Sequence, residues 1–223
     1  MQLRSIPLVV GLALLCPFVS SAQLTQQDIA AILDLHDAER CEVDPPASAM
    51  PAMVWDEALA SVAMAWANQC TFSANPNRSA DYAAAGGSGY VGENIAGFLS
   101  GDASPDQLVQ LWADERAFWT FEPVSTSNLL ATGHYMQMIW ANSSTIGCGL
   151  ATCGNGRFLV CNYAPGGLFF GVTPYVAGSG ENQACPEPAT AVGLAAGLVA
   201  LAALGRSREP RVLAHSGMEE SRR

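Results

Sequence analysis

A β-hairpin signal in the second half of the chain constrains its fold more than any other feature. Two runs with strand character, residues 145–152 and 157–162, flank the sequence Gly-Asn-Gly at 154–156. This arrangement is typical of antiparallel strands joined by a tight turn. The run at 136–140 also predicts a strand. Helix signals precede all of these strands, so we expect an α+β fold rather than alternating βαβ units.

Three helices are predicted ahead of the hairpin. Thr25 caps the first, and the second starts near Asp56 with apolar residues spaced to form one buried stripe. The third begins after Ser104, and its helical spacing of apolar and aromatic residues continues to Trp119. The Gly- and Ala-rich stretch at 81–89 predicts a loop between the second and third helices.

The N-terminus has the pattern of a secretory signal. Arg4 supplies a positive charge, residues 6–18 form an apolar core, and small residues precede Gln23. We therefore predict a signal peptide at 1–22. The folded domain is expected to span 23–177 and to be secreted into an extracellular compartment.

The composition changes after residue 177. A linker at 178–188 leads to a short hydrophobic segment at 189–205 and a tail of basic and acidic residues at 206–223. Arginines follow the hydrophobic segment closely, as they do in membrane-retained or sorted C-termini. We predict that 189–205 is a sorting signal or membrane anchor that attaches the protein to the cell surface. A cleaved tail is the alternative.

Cysteine usage also indicates export. The chain has seven cysteines, and six remain once Cys16 leaves with the signal peptide. An even number in an exported chain indicates disulfides. A structural zinc site is disfavoured, because Cys148 and Cys153 do not form a Cys-x-x-Cys pair and no second such pair exists. Six cysteines allow 15 pairings, and the count alone does not choose among them.

The charge distribution excludes one class of partner. The chain contains no lysine and has a net charge of -10. Most of its arginines lie near the two ends, so the predicted domain is more acidic than the whole chain. Because an acidic surface repels phosphate backbones, we expect no nucleic-acid partner.

Seven motifs in a fixed order indicate a known family of secreted domains. They are His36-Asp37-Ala38-Glu39-Arg40, Met53-Val54-Trp55-Asp56, Gly92-Glu93-Asn94-Ile95, Trp112 with Glu115, Gly133-His134-Tyr135, Gly147-Cys148-Gly149 and Cys161-Asn162-Tyr163. Over residues 27–176 the chain resembles the CAP superfamily (SCP domains), which includes cysteine-rich secretory proteins, insect venom allergens and plant pathogenesis-related class 1 proteins. The resemblance implies a three-layer α-β-α sandwich with a central antiparallel sheet.

The resemblance also implies a cleft lined by two histidines and two glutamates, which binds divalent metal in some members. Matched motif by motif, Glu93, Glu115 and His134 occupy three of these positions. Ala74 stands where the first histidine is expected. One imidazole with two carboxylates leaves an open site, so a bound zinc, calcium or magnesium ion is a hypothesis only.

Residues within and beside these motifs carry three further expectations. Ser73 or Asn75 would lend an oxygen to such a cation and favour calcium or magnesium. His36 belongs to the first-helix motif and is expected to cap a helix or pack against the sheet. Trp112 and Trp140 are expected in the core or in the wall of the cleft.

The same resemblance implies a disulfide pattern. In plant members the cysteine after the second helix pairs with the later hairpin cysteine, and Gly-Cys-Gly pairs with Cys-Asn-Tyr. Carried over, these pairs are Cys70–Cys153 and Cys148–Cys161. Cys41 and Cys185 are then the two cysteines left to pair.

Three functions are compatible with these residues. The first is a non-enzymatic binding module, whose cleft takes a small apolar ligand, a peptide or a cation, with a defence or host-interaction role as in some relatives. The second is a cleft hydrolase or peptidase that uses Glu93, Glu115 and His134. It is disfavoured because no Gly-x-Ser-x-Gly motif is present. In addition, each of the six remaining cysteines has another cysteine with which to form a disulfide, which would leave none as a nucleophile. The third is a structural cell-surface domain with a vestigial cleft.

Overall fold

The computed structural model describes residues 23–181 and Cys185. In that part of the chain the α-helices are Gln26–Cys41 (α1), Glu57–Ala67 (α2), Arg78–Ala84 (α3), Pro105–Ala113 (α4) and Thr126–Met138 (α5), with a 3-10 helix at Asp114–Phe118. The strands are Val54–Trp55 (β1), Gly92–Gly97 (β2), Thr145–Cys153 (β3) and Gly156–Ala164 (β4).

Three predicted segments fall elsewhere in the chain. The signal peptide at 1–22, the hydrophobic segment at 189–205 and the tail at 206–223 lie outside the described residues. Among the helices of the described part, none combines the length and apolar character needed to cross a membrane.

The four strands form one mixed sheet in the order β1-β3-β4-β2. β3 and β4 are the antiparallel hairpin that the sequence predicts, and β2 pairs antiparallel with β4. The short β1 runs parallel to β3 at the edge. The central sheet is therefore antiparallel apart from one two-residue edge strand, which leads directly into α2.

Helices cover both faces of this sheet and make a three-layer α-β-α sandwich. On one face the core joins α1, α4 and α5 to the sheet through residues such as Ile32, Trp112, Tyr135 and Leu159. On the other face α2 packs its alanines against β3 and β4. The α+β class and the layering expected from the resemblance are both confirmed.

Small side chains let α2 approach the sheet closely. A Cβ atom added at Gly147 or Gly149 of β3 would collide with the backbone of α2 near Ala60 and Met64. The GCG motif is thus needed for backbone contact between a helix and a strand as well as for its cysteine.

The strand predicted at 136–140 is wrong, because most of this segment belongs to α5. Ser125 and Asn128 form a capping box at the start of that helix. Every residue from 135 to 140 is buried. A continuously buried run has no helical periodicity, so its sequence resembles that of a buried strand.

Two other boundaries differ from the sequence prediction. The third predicted helix stops at Ala113 and tightens into the 3-10 helix, so that Glu115 and Trp119 do not continue one α-helical stripe. The stretch predicted as a loop at 81–89 is helical as far as Ala84, in agreement with the high helix propensity of its alanines.

Three disulfides cross-link the described part of the chain: Cys70–Cys153, Cys148–Cys161 and Cys41–Cys185. The Cys148–Cys161 bond joins directly opposed residues of the hairpin. The Cys70–Cys153 bond ties the segment after α2 to the end of β3. The hairpin is therefore covalently fixed along its length and at its tip.

A buried chain of hydrogen bonds connects α1 to α5 through the sheet. His36 is fully buried, and its Nδ1–H donates to the carbonyl of Ile32 at 2.8 Å. Its Nε2 must then accept from the Tyr163 hydroxyl at 2.9 Å. Asn94 Nδ2 donates to that hydroxyl at 3.2 Å and to the carbonyl of His134 at 3.0 Å. The expectation that His36 packs against the sheet agrees with this position.

We predict that His36 makes stability fall on acidification. Burial lowers the pKa of His36 from 6.5 to about 4, so between these values the unfolded chain binds a proton that the folded chain rejects. This group alone should remove about 3 kcal/mol of unfolding free energy between pH 7 and pH 4. The measurement is urea unfolding of the wild type and His36→Gln across that range.

The difference between the two unfolding curves isolates His36. Burial raises the pKa of Asp37, Glu39 and Glu93, which gives the opposite pH trend, but both proteins carry these groups. The stability advantage of the wild type over His36→Gln should shrink as the pH falls. Parallel pH profiles would contradict the prediction.

Candidate functional site

Glu115 holds the backbone and the ring of His134 at once. Its Oε1 accepts from His134 Nδ1 at 2.6 Å, and its Oε2 accepts from the backbone N–H groups of His134 and Tyr135, each at 3.0 Å. The 3-10 helix places Glu115 against α5 for these contacts. Both carboxylate oxygens are therefore committed to orienting the histidine.

Trp112 fixes the plane of the same imidazole. Its ring lies nearly parallel to that of His134, with centroids 6.1 Å apart, and its indole N–H donates to the carbonyl of Ile95 at 3.3 Å. With Nδ1 engaged by Glu115, Nε2 of His134 has no hydrogen-bond partner in the described part of the chain. The His134 side chain is 44% exposed, so this nitrogen is the atom that a ligand would meet.

Glu93 approaches from the sheet side on β2. Its Oε1 accepts from the backbone N–H of Asn75 at 2.7 Å, and its Oε2 is buried without a hydrogen-bond partner. Burial raises the pKa of Glu93, while the Asn75 N–H and the charge of Arg78 partly offset that increase. The carboxyl group is thus held in place with half of its hydrogen-bonding capacity unused.

A fixed turn at 73–78 supports Glu93. Asn75 Oδ1 accepts from the backbone of Asn77 at 2.9 Å, and its Nδ2 donates to Asp81 at 3.1 Å. Arg78 donates to the Asn75 carbonyl at 2.8 Å. Asn75 therefore contributes a backbone donor to Glu93, whereas the sequence suggested that its side chain would lend an oxygen to a cation.

Glu93 and His134 line one cleft of about 350 Å³. Phe72 and Ile95 supply its apolar wall, and Ala74 lies in the lining where the sequence placed a missing histidine. Glu115 is not among the lining residues and acts through His134. The structure therefore brings all three predicted side chains to one place, with two at the cleft and one behind it.

Phe72 and Ile95, which form the apolar wall of the cleft, were not predicted as site residues from the sequence. Phe72 packs edge-on against Phe158, with ring centroids 4.7 Å apart. Ile95 alternates with Asn94 along β2 and so faces the cleft side with Glu93. Strand alternation around the Gly-Glu-Asn motif would have found Ile95, but a six-residue strand containing Glu and Asn gives a weak signal.

The donor set does not fit a divalent cation. Both oxygens of Glu115 are already used, which leaves His134 Nε2 and Glu93 as donors beside the methyl group of Ala74. Across residues 23–181 and Cys185, no group of three or more His, Cys, Asp or Glu is placed to hold a metal ion. Glu93, Glu115 and His134 therefore do not make a metal site as they stand.

A family model described as the cysteine-rich secretory protein family, CAP, matches residues 33–163. The chain belongs to this family. Family membership together with three disulfides is the pattern of an extracellular protein.

Several known proteins are similar to this chain over the CAP domain. GLIPR1-like protein 1 of Homo sapiens is 40% identical over 153 residues, which cover 66% of this chain and 62% of that relative. Peptidase inhibitor R3HDML of Mus musculus is 36% identical over 181 residues, covering 73% of this chain and 68% of that relative. The chain therefore spans less than two thirds of GLIPR1-like protein 1. The solved structure of Na-ASP-1 matches with a TM-score of 0.62 at 25% identity, covering 82% of this chain and 49% of that one.

We predict that one substitution turns the cleft into a zinc site. Ala74→His adds a second imidazole to the lining that already holds His134 and Glu93, giving the three-ligand set typical of open zinc centres. Titration calorimetry with zinc on untagged protein should show saturable binding for Ala74→His and none for the wild type.

Two further variants control this titration. Ala74→Leu adds bulk without a ligand and should not bind zinc. Ala74→His combined with His134→Ala should lose the gained affinity. If the wild type bound zinc as tightly as Ala74→His, the conclusion that the wild-type cleft has too few metal ligands would be wrong.

Proposed function

We propose that this chain is an extracellular, non-enzymatic binding protein whose cleft takes a small ligand or a peptide side chain. The observation that carries the proposal is that both Glu115 oxygens accept hydrogen bonds that orient His134. The result is a fixed acceptor, Nε2, beside the apolar wall of Phe72 and Ile95. A rigid acceptor next to an apolar wall favours a ligand with an apolar body and one hydrogen-bond donor.

The hydrolase alternative lacks an activated nucleophile. All six cysteines in the described part of the chain are in disulfides. Ser73 supplies a hydroxyl to the cleft lining, but it makes no hydrogen bond to His134 in the described structure. The Glu-His pair has no side-chain nucleophile hydrogen-bonded to it, which favours a role in orienting a ligand. The cleft is therefore better suited to binding.

The binding role is testable with a simple amphiphilic probe. We predict that 2-phenylethanol binds the cleft, with its ring against Phe72 and its hydroxyl donating to His134 Nε2. NMR titration should then shift the resonances of the His134 imidazole and the Phe72 ring saturably, and the Phe72 ring reports binding in the His134 variant. His134→Ala, which removes the acceptor, and Ala74→Phe, which fills the cleft, should each weaken binding about tenfold, the effect of one lost hydrogen bond or of lost space.

Leu130→Ala provides the control for this titration. Leu130 is 92% exposed on α5 and is not among the cleft-lining residues, so its removal should leave probe binding unchanged. Two results would contradict the binding role. One is a probe titration that leaves the His134 resonances unmoved. The other is peptidase turnover by the wild type that both His134→Ala and Ser73→Ala abolish while remaining folded.

We infer a second candidate function, inhibition of a peptidase by surface contact. Relatives at 36–37% identity are named peptidase inhibitor R3HDML and peptidase inhibitor 15. The feature that favours this role here is the exposed segment 98–102, whose backbone is hydrogen-bonded to the tip of the β3–β4 hairpin and which carries the exposed side chains of Phe98 and Leu99. Incubating the secreted chain with serine peptidases of different specificity, and measuring residual activity on small substrates, tests it directly.

A further inference from the structure

A second cavity, of about 210 Å³, is lined by residues from the start of α1, from β1 and from α2. Leu24, Ile29, Trp55 and Met64 supply most of its apolar lining, and Gln23 contributes to the lining as well. None of these residues lines the cleft of Glu93 and His134. The cavity is therefore a separate feature, and the first described residue of the chain lies against it.

The chain has a fixed position from Leu24 onward. Leu24 packs against the main hydrophobic core. The N–H of Thr25 donates to the Asp28 carboxylate at 2.8 Å, and the N–H of Asp28 donates to the Thr25 hydroxyl at 3.2 Å. Gln23 is exposed and comes directly before this anchored segment. An N-terminus at Gln23 would thus be held beside the cavity.

Removal of the predicted signal peptide at 1–22 makes Gln23 the N-terminal residue. The α-amine of an N-terminal glutamine can attack Cδ of its own side chain. A bond then forms between the α-nitrogen and Cδ, the bond from Cδ to Nε2 breaks, and Nε2 leaves as ammonia with one proton from the amine. The reaction needs no oxidant or reductant. It needs an unprotonated amine, and an α-amino pKa of about 7.7–8.0 leaves part of the amine neutral at physiological pH.

We propose that Gln23 is a modification site, and that the mature chain begins with the pyroglutamyl ring that this reaction forms. The proposal goes beyond the proposed function and rests on the predicted signal peptide. The ring lies in the cavity, with its methylene groups against Trp55 and Met64. An uncharged lactam suits such a lining better than an ammonium group, which loses hydration next to apolar side chains.

Cyclisation also changes the charge next to α1. A free α-amine would place a positive charge two residues before the N-cap, Thr25, where the helix dipole disfavours a cation. Glu57 lines the same cavity and would attract a free amine, so these two effects oppose each other. The charge state of the N-terminus is therefore the property to measure.

A blocked N-terminus protects the start of the fold. Aminopeptidases require a free α-amine and remove residues one at a time from that end. Loss of Leu24 would remove its contact with the core, and loss of Thr25 would remove the capping box of α1. Because a lost cap destabilises its helix, an extracellular chain that begins this close to its first helix benefits from a ring that aminopeptidases do not accept.

The sequence offers an unusually clean test, because the chain contains no lysine and its α-amine is then the only primary amine of the mature protein. The full chain is secreted with its own signal peptide, unfolded, and labelled by reductive dimethylation before digestion with trypsin. The wild type should take no label, and its N-terminal peptide, residues 23–40, should be lighter than the encoded sequence by one ammonia.

Two variants calibrate the labelling. Gln23→Glu keeps a similar shape but cyclises far more slowly, so it should take label on its α-amine. Gln26→Ala is the matched control, because it removes a nearby exposed glutamine and should leave the N-terminus unlabelled. A labelled wild type would overturn the modification, as would a mature chain that begins at another residue. Neither result bears on ligand binding in the cleft.

A pyroglutamyl peptidase tests the position of the ring. It should remove the ring from the isolated peptide 23–40 and leave it on the folded wild type. Ser61 is exposed and lines the cavity, so Ser61→Phe should fill the cavity, displace the ring and allow its removal from folded protein. Equal rates of removal from the wild type and Ser61→Phe would overturn the position in the cavity and leave the modification standing.

Discussion

The buried hydrogen-bond chain from His36 through Tyr163 and Asn94 to the His134 carbonyl fixes the two sides of the cleft against each other. Asn94 lies on β2 beside Glu93, and the carbonyl it contacts belongs to the residue that carries the imidazole. The direction of every bond follows from one constraint, the carbonyl of Ile32, which can only accept. The low pKa of His36 maintains that direction at neutral pH. A largely buried network of this kind restrains the relative positions of its elements.

The orientation of His134 and the small number of metal-ligand atoms in the cleft share one structural cause. Glu115 gives both oxygens to α5, which makes the imidazole rigid and removes the carboxylate from the cleft. Rigid placement of one acceptor serves ligand recognition, because little conformational entropy is lost on binding. Ala74 then leaves space where a further ligand atom would be needed to hold a cation. The cleft is preorganised to accept a hydrogen bond, and it has too few ligand atoms to hold a metal ion.

How much the sequence predicts depends on whether local signals decide the structure. Capped helices such as α1, and the hairpin around its Gly-Asn-Gly turn, carry those signals and were predicted. The run at 136–140 is buried on all sides by its neighbours, so tertiary packing decided its helical form. The site residues were recognisable through motif resemblance alone. The role of Glu115 behind His134 was not, because it depends on where the 3-10 helix turns.

The cleft and the loop at 98–102 share one covalent support. Phe72 lines the cleft and follows Cys70, whose partner Cys153 ends the strand at the hairpin tip under the loop. Reduction of this disulfide would therefore loosen the cleft wall and the loop together, so an assay under reducing conditions could not assign a lost activity to either. Point substitutions separate them, because Leu99 lies in the loop after β2 and His134 lies on α5. Effects of residues without shared partners are expected to add.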